Sequence, residues 1–282
     1  MRAASGNRLT SLCARALAVL WLSSTALAFA STARDALTQA LHGTQAAGVV
    51  LDLKTGAVIA RSGNDVRATP GSTIKPLLLE YALEHGIITS GTQVFCDRHL
   101  RIAGRTVDCT HPTDRNVFNA ETALAESCNR YFAELGRRFT GPQLEQALRE
   151  VRIEHHPVAN ASAEDRELTT LGLENVTATP LELAQAYREL TLRLPADSPV
   201  ERGLKESVDY GMAHPAAVEG MTILGKTGTA KNPGEAWTHG WFAGVQPGRV
   251  VVAIFVPHGD GGTAALLARQ FFLAMRDAES RR

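Results

Sequence analysis

Strand-like patterning in this 282-residue chain is confined to its two ends. The segment AAGVVLDLKTGAVIARSG, from Ala46, holds two β-branched runs separated by Lys54-Thr55-Gly56, which is a hairpin signal. Near the C-terminus the runs Gly220 to Gly225, Trp237 to Val245 and Arg249 to Pro257 follow one another across turn-rich residues, as antiparallel neighbours do. Between the two groups the spacing is helical. Ser72 to His85 forms an apolar helix stopped by Gly86, with Pro76 tolerated in its first turn. Asn119 to Arg138 places Leu124, Tyr131, Phe132 and Leu135 on one face, and Ala178 to Leu194 opens on Thr179-Pro180. Asp35 to Leu41 and Thr263 to Met275 add a short and a final helix, while the polar stretch Asn160 to Thr170 is expected to be a surface loop. A doubly wound α/β fold needs regular alternation of strand and helix, which the middle third lacks. The order implies an α+β domain: one antiparallel sheet of about five strands, built from the N-terminal hairpin and the C-terminal strands, flanked by helices and interrupted by an all-helical middle subdomain.

Charge narrows the function classes. Lys+Arg and Asp+Glu are equal at 29, so there is no basic excess for phosphates and no nucleic-acid partner is expected. Residues 1–30 carry Arg2, Arg8 and Arg15 and no acid, and an apolar run from Ala16 ends in Ala28-Phe29-Ala30. This reads as a secretory signal peptide cut after Ala30, leaving a domain over residues 31–282. The rival reading, an uncleaved anchor, is weakened because the run is shorter than the roughly 20 residues that span a bilayer and is broken by Ser23, Ser24 and Thr25. Export to the periplasm or the outer face of the cytoplasmic membrane follows.

In an oxidising compartment, Cys96 and Cys109 pair naturally as a disulfide around a polar loop with Ala103-Gly104 near its middle. Two free buried thiols come next. A metal site completed by His99 or His111 ranks last, because no second Cys pair supplies the usual four ligands; no metal and no cofactor is expected. Cys128 is then an odd, packed thiol.

Three short motifs carry potential chemistry. Ser72 and Lys75, three apart at a helix start, share a face, so an amine with a depressed pKa could take the hydroxyl proton. The bland alternative is a cap and a surface lysine. Ser127-Cys128-Asn129 interrupts an apolar helical stretch, either as a helix break or as a hydroxyl relay beside an orienting amide. Gly225-Lys226-Thr227-Gly228-Thr229-Ala230 reads as a strand whose edge can pair with an extended peptide, Lys226 and the threonines holding a carboxylate. Gly220, Gly225, Lys226 and Thr227 also meet the spacing of a phosphate loop, but Met-Thr-Ile-Leu between them suits a strand.

Together and in this order, S-x-x-K, S-x-N and K-T-G match the motif set of penicillin-binding proteins and class A β-lactamases, with Cys128 where the middle motif has Asp. PGSTIKPLL around Ser72, ALAESCNRYFAELG around Ser127, VTATPLELAQAYREL from Val176 and GKTGTA followed by HGWFAG resemble the transpeptidase domain of class B penicillin-binding proteins over nearly all of residues 31–282. The segment holding Cys96, Cys109 and His111 resembles one that precedes S-x-N in elongation-type members. The resemblance implies an acyl-serine D,D-transpeptidase or carboxypeptidase acting on peptidoglycan stem peptides ending in D-Ala-D-Ala, and acylated by β-lactams. It assigns the nucleophile to Ser72, the base to Lys75, the proton relay to Ser127, and the holding of Lys75 and of a substrate amide to Asn129. Backbone N–H groups of Ser72 and Thr229 form the oxyanion hole, and Lys226, Thr227, Gly228 and Thr229 receive the terminal carboxylate.

The short distance from the expected cut to Ser72 leaves no room for a pedestal domain, so a stand-alone domain working with cell-wall synthesis proteins is expected. Two alternatives stand: a serine β-lactamase, although Glu164 and Glu167 lack the Leu-Asn pair of a water-activating loop and read as exposed charge, and a non-catalytic penicillin-binding sensor. Bland roles suit the rest. His155-His156 reads as solvated turn, Trp241 as packing against the sheet, and His239 as support for its strand. Trp237 either packs likewise or rims the cleft.

Overall fold

The computed structural model describes residues 28–281. The expected signal segment therefore lies outside the described residues up to position 27. Among the described residues no helix is long and apolar enough to cross a membrane.

The chain enters as a helix over residues 28–41 (α1) and forms the expected hairpin, β1 (Ala47–Asp52) and β2 (Val58–Ser62). Three further long strands lie near the C-terminus: β3 (Leu224–Ala230), β4 (His239–Gln246) and β5 (Val250–Val256), followed by α9 (Gly261–Ser280). They join in one sheet of order β2-β1-β5-β4-β3. Every pairing is antiparallel, with Val49 opposite Ala253, Ala243 opposite Ala253 and Ala243 opposite Lys226. The α+β expectation of a five-stranded antiparallel sheet is met.

Side chains alternate across this sheet as its pleat requires. Val50, Val252, Ile254 and Phe242 face one layer, where Leu37 of α1 and Phe271 and Phe272 of α9 pack. Val49, Leu51, Val251, Ala253 and Trp241 face the other, against the helical middle. All seven residues of β5 are buried because both of its faces are covered.

The middle holds α2 (Lys75–Glu84), α3 (Ala120–Ala125), α4 (Asn129–Arg138), α5 (Gly141–Glu150), α6 (Ala163–Thr170), α7 (Pro180–Arg193) and α8 (Pro199–Asp209). In α2, Leu77, Leu78, Leu79 and Ala82 are all buried. Only Glu80, Leu83 and Glu84 reach solvent, so most of the helix surface is packed within its layer.

Three local expectations change. The single helix over Asn119 to Arg138 is two, α3 and α4, broken at residues 126–128 where Ser127 takes a left-handed φ of 57°. The strand expected from Gly220 begins instead at Leu224 and runs through the whole K-T-G motif. The surface loop at Asn160 to Thr170 is in fact mostly α6, opened by a capping box in which Ser162 and Asp165 bond reciprocally. Glu167 in α6 is buried, not exposed, and its Oε1 accepts from Arg137 Nε at 2.6 Å. The approach of α4 that makes this pair possible depends on Gly136, where a Cβ would lie 2.7 Å from Glu167 Cα.

Candidate active site

Ser72 lies in a 3₁₀ turn, Gly71–Ile74, that leads directly into α2. The turn packs against the β3 edge of the sheet. Gly71 has φ of 54°, and a Cβ there would stand 2.8 Å from the Thr229 carbonyl oxygen. A left-handed conformation and lack of space both demand glycine. From the other side Gly71 N donates to Gly172 O at 3.0 Å, and Tyr187 Oη donates to Thr73 O at 2.8 Å. The turn that carries Ser72 is thus clamped between β3, the loop after α6, and α7. Gly71→Ala is expected to lower stability by about 1–3 kcal/mol and to slow acylation of Ser72, measured by urea unfolding and by labelling with a fluorescent penicillin.

Lys75 is fully buried at the start of α2. Its Nζ donates to Asn129 Oδ1 at 2.7 Å, to Ser127 O at 3.0 Å and to Ser127 Oγ at 3.2 Å, and lies 5.0 Å from the Phe132 ring centroid. Burial brings its pKa down to about 8. Lys226 comes from β3, also fully buried, and donates to the same Ser127 Oγ at 2.9 Å and to Thr227 O at 3.0 Å. Burial first, and the Lys75 charge second, hold its pKa well below the ordinary lysine range. Two amines thus converge on one hydroxyl, in a site that disfavours two positive charges together.

The helix break makes this convergence possible. With Ser127 in a left-handed conformation, the chain turns its hydroxyl toward both lysines before α4 starts at Asn129. Strain of this kind persists where surrounding contacts over-determine it. Asn129 holds Lys75, as expected. Its amide nitrogen donates to Val107 O at 3.0 Å and Asp108 O at 3.1 Å, which leaves the second lone pair of Oδ1 as the group it can offer a substrate amide.

Ser72, Ser127, Asn129, Thr227 and Thr229 line one pocket of about 190 Å³, with Asp108, Thr110 and Met212 completing it. Thr229 Oγ1 accepts from Gly261 N at 2.9 Å, which leaves its own proton free to donate. Thr227 Oγ1 lies 3.3 Å from Met212 O, its acceptor. Gly228 permits the close approach of the turn that carries Ser72, since a Cβ there would meet Pro70 O at 2.5 Å. Lys75 bonds to Ser127 and Asn129, and no hydrogen bond joins it to Ser72 in this arrangement. The Lys75 amine is held by the motif opposite.

A family model described as penicillin binding protein transpeptidase domain matches residues 46–193, just over half of the chain. The chain belongs to that family. The match contains Ser72, Lys75, Ser127 and Asn129 and ends before β3, so the place of Lys226 to Thr229 rests on the geometry above. Among solved structures, this transpeptidase domain is similar to the D,D-transpeptidase domain of a peptidoglycan glycosyltransferase from Eggerthella lenta, at 21% identity and a TM-score of 0.78, covering 89% of this chain and 82% of that one. It is also similar to the TP domain of Burkholderia pseudomallei penicillin-binding protein 3, at 18% identity, a TM-score of 0.75 and coverage of 91% and 95%. A third, Pseudomonas aeruginosa PBP2 in complex with WCK 5153, gives 18% identity and a TM-score of 0.73 over 87% and 76%. At these identities the likeness concerns the fold. No curated protein matches the chain significantly.

Behind the S-x-N wall of the transpeptidase domain the structure corrects the cysteine reading. Cys96 and Cys109 do meet, at either end of the expected polar loop, but their sulfurs are 3.4 Å apart and unbonded, far beyond the ~2.05 Å of a disulfide. Cys128 Sγ lies 3.9 Å from Cys109 Sγ and His111 Nε2 lies 3.5 Å from Cys96 Sγ. All four ligand atoms, buried, fall within 4.8 Å of one another. A tetrahedral ion with ~2.3 Å metal–sulfur bonds needs its sulfurs ~3.8 Å apart, so the set fits zinc. The site ranked last for want of two more ligands has them, one from beyond the loop and one from inside the S-x-N motif itself. His111 Nδ1 lies 2.9 Å from Pro112 O, the outer bond that fixes a metal-ligating imidazole. Cys109 is pulled down to about 4 by the hydrogen bond with Cys128 and by Arg130 N, which donates to its sulfur at 3.4 Å, while Cys96 and Cys128 are pushed up. Four protein ligands leave no open position, so an ion here would brace structure and activate no water.

The sequence reading did not reach Asp108, Thr110 and Met212 of the pocket, nor Gly172 and Tyr187 behind it. A cue existed for the four-ligand set alone: three cysteines and two histidines, His99 and His111, within the span from Cys96 to Cys128. His239 props the site, its Nε2 2.8 Å from Thr69 O, and Trp241 Nε1 donates to the same carbonyl at 2.9 Å. Trp237 does not line the pocket; it is half exposed and packs on His258, ring centroids 4.8 Å apart.

Proposed function

We propose that this transpeptidase domain is an exported acyl-serine D,D-transpeptidase acting on peptidoglycan stem peptides that end in D-Ala-D-Ala. The observation that carries the reading is the convergence of Lys75 and Lys226 on Ser127 Oγ, with Ser72 and Thr229 lining the same pocket. Neutral Lys75 takes the Ser72 proton as Oγ bonds to the penultimate D-Ala carbonyl carbon. The oxyanion is received by backbone N–H groups of Ser72 and Thr229, whose segments Gly71 and Gly228 allow to approach. The C–N bond then breaks, and the proton passes from Lys75 through Ser127 to the leaving D-Ala amine. Thr229, with its hydroxyl proton free, and the positive potential of Lys226 favour the terminal carboxylate on this edge strand. An acceptor amine next attacks the acyl-serine carbon and restores Ser72; water in its place gives carboxypeptidation.

A β-lactam acylates the same serine. Slow release of that adduct is supported by the acids nearby: Glu167 is bound to Arg137, and Asp108, on the pocket wall, accepts from Leu100 N at 2.7 Å. The export segment and the family support a place at the outer face of the membrane or in the periplasm, beside cell-wall synthesis proteins.

Intact mass after treatment with a penicillin is expected to show one long-lived adduct, absent in Ser72→Ala. Rapid turnover of a chromogenic cephalosporin would instead point to a hydrolase. Incubation with a D-Ala-D-Ala pentapeptide and an acceptor amine is expected to release D-Ala and form a cross-linked product. Acylation by penicillin without either product would leave a sensor in place of an enzyme.

A further inference from the structure

The cysteines of the described residues are Cys96, Cys109 and Cys128, and their sulfurs gather behind the catalytic wall with His111. Acyl transfer uses none of them. Cys109 is the middle sulfur, 3.4 Å from Cys96 Sγ and 3.9 Å from Cys128 Sγ. It is also the least enclosed, at 5% exposure against 2% for Cys96 and 0% for Cys128. Its chain neighbours Asp108 and Thr110 both line the catalytic pocket, so Cys109 lies directly behind that wall.

A cysteine that holds a metal is a thiolate, and the thiolate is the form that peroxides oxidise. Arg130 N, in the first turn of α4, donates to Cys109 Sγ at 3.4 Å, a bond that favours negative charge on this sulfur. Position, exposure and a neighbouring thiol therefore meet at one residue. We propose that Cys109 is a modification site for hydrogen peroxide, and that capture of its oxidised sulfur by Cys96 releases the metal and slows Ser72.

The Cys109 thiolate attacks one peroxide oxygen: an S–O bond forms, the O–O bond breaks, and hydroxide leaves with the second oxygen. The Cys96 thiolate then attacks Cys109 Sγ across 3.4 Å, forming the S–S bond as the S–O bond breaks and a second hydroxide leaves. The two thiolates give up one electron each, and the peroxide takes both. Of the four ligands only His111 and Cys128 remain, too few for a closed tetrahedral site.

The two sulfurs must also close to ~2.05 Å, which moves the loop by roughly 1 Å. Val107 O and Asp108 O, immediately before Cys109, hold the amide nitrogen of Asn129, whose Oδ1 holds Lys75. A displacement of about that size can cost on the order of a hundredfold in rate. Only this last link, from the loop to Ser72, rests on the acyl-serine reading above.

The test uses the whole unaltered chain, reduced, loaded with zinc and treated with a few equivalents of hydrogen peroxide. Zinc release is followed with a chromogenic chelator, the thiols by intact mass and peptide mapping, and Ser72 by labelling with a fluorescent penicillin. The expected result is release of zinc in step with loss of two hydrogens, a bond mapped to Cys96 and Cys109, and labelling slowed about tenfold or more. Dithiothreitol with added zinc is expected to restore the rate. In Cys96→Ser the sulfenic acid on Cys109 is expected to persist and to be trapped by dimedone. Should that variant fail to fold, dimedone present throughout the treatment of the unaltered protein is expected to trap the same adduct.

Zinc and thiols left unchanged by peroxide overturn the proposal, as does a bond that joins Cys128 or Cys13 instead. A chain that takes up no zinc overturns the metal release. Slowed labelling that tracks added oxygen and resists dithiothreitol assigns the effect to a methionine such as Met212, on the pocket wall, and overturns it too. Full labelling of the disulfide form breaks the link to Ser72. A protein that takes no penicillin before oxidation removes the acyl-serine reading, while zinc release and mass still decide the thiol chemistry.

Discussion

Lys75→Met is expected to slow acylation of Ser72 by penicillin about 10²- to 10⁴-fold, the usual worth of a positioned general base. The substitution keeps the length and apolar stem of the side chain, which the buried pocket against Phe132 accommodates. It removes the amine that meets Asn129 Oδ1 and Ser127, so the proton of Ser72 has no acceptor in place. The pH dependence follows from the direction of the shift. With a pKa near 8, about a tenth of the Lys75 amines are neutral at pH 7, against about one in three thousand for an ordinary lysine. If neutral Lys75 is the base, as proposed, acylation by the unaltered protein is expected to rise with pH through a midpoint near 8 and then level. A rate independent of pH between 6 and 9, measured by rapid-quench labelling over about that range, would remove Lys75 from the role.

The largest expected effect on stability comes from the Cys96, Cys109, His111 and Cys128 set. One zinc per chain is expected in native mass spectra, and its removal by a strong chelator is expected to lower Tm by at least about 10 °C, since structural zinc sites contribute several kcal/mol or more to folding. Cys109→Ser is expected to do the same without chelator. The consequence reaches the catalytic wall, because Asn129 is held by the carbonyls of Val107 and Asp108, next to Cys109, while Cys128 lies between Ser127 and Asn129. Loss of metal should therefore slow acylation as well as lower Tm. An intact mass two hydrogens lighter, with no bound metal and undiminished stability, would show instead that Cys96 and Cys109 close into a disulfide.

The sheet and the identity of the motif residues were legible because both are written locally. β-branched runs broken by Lys54-Thr55-Gly56 declare a hairpin without help from distant chain, and S-x-x-K declares its shared face through helical spacing alone. Features that depend on two distant segments were not. Glu167 reads as exposed because α6 looks polar, and only the approach of α4 across Gly136 buries it beside Arg137. The four-ligand cluster was missed for the same reason. Cys96, Cys109 and His111 lie on one loop, but the fourth ligand arrives with the broken helix between α3 and α4, and that break is itself set by tertiary contacts to two lysines. α6 was partly recoverable, since Ser162 and Asp165 have the spacing of a capping box.

The sheet order also bears on how the chain reaches this state. β1 pairs with β5, so the first strand waits for a partner about two hundred residues later, and the edge strand carrying Lys226 is laid down only against β4. Loop-closure entropy makes such pairings late events, while α2 to α8 can gather from nearer neighbours. A chain still emerging from a ribosome can hold Ser72 in the turn before α2, yet Lys226 and Thr229 have no strand to pair with until β4 has cleared. The serine therefore acquires its surroundings at the end of folding, and a prematurely ended chain would be inert toward β-lactams however well its helices had formed.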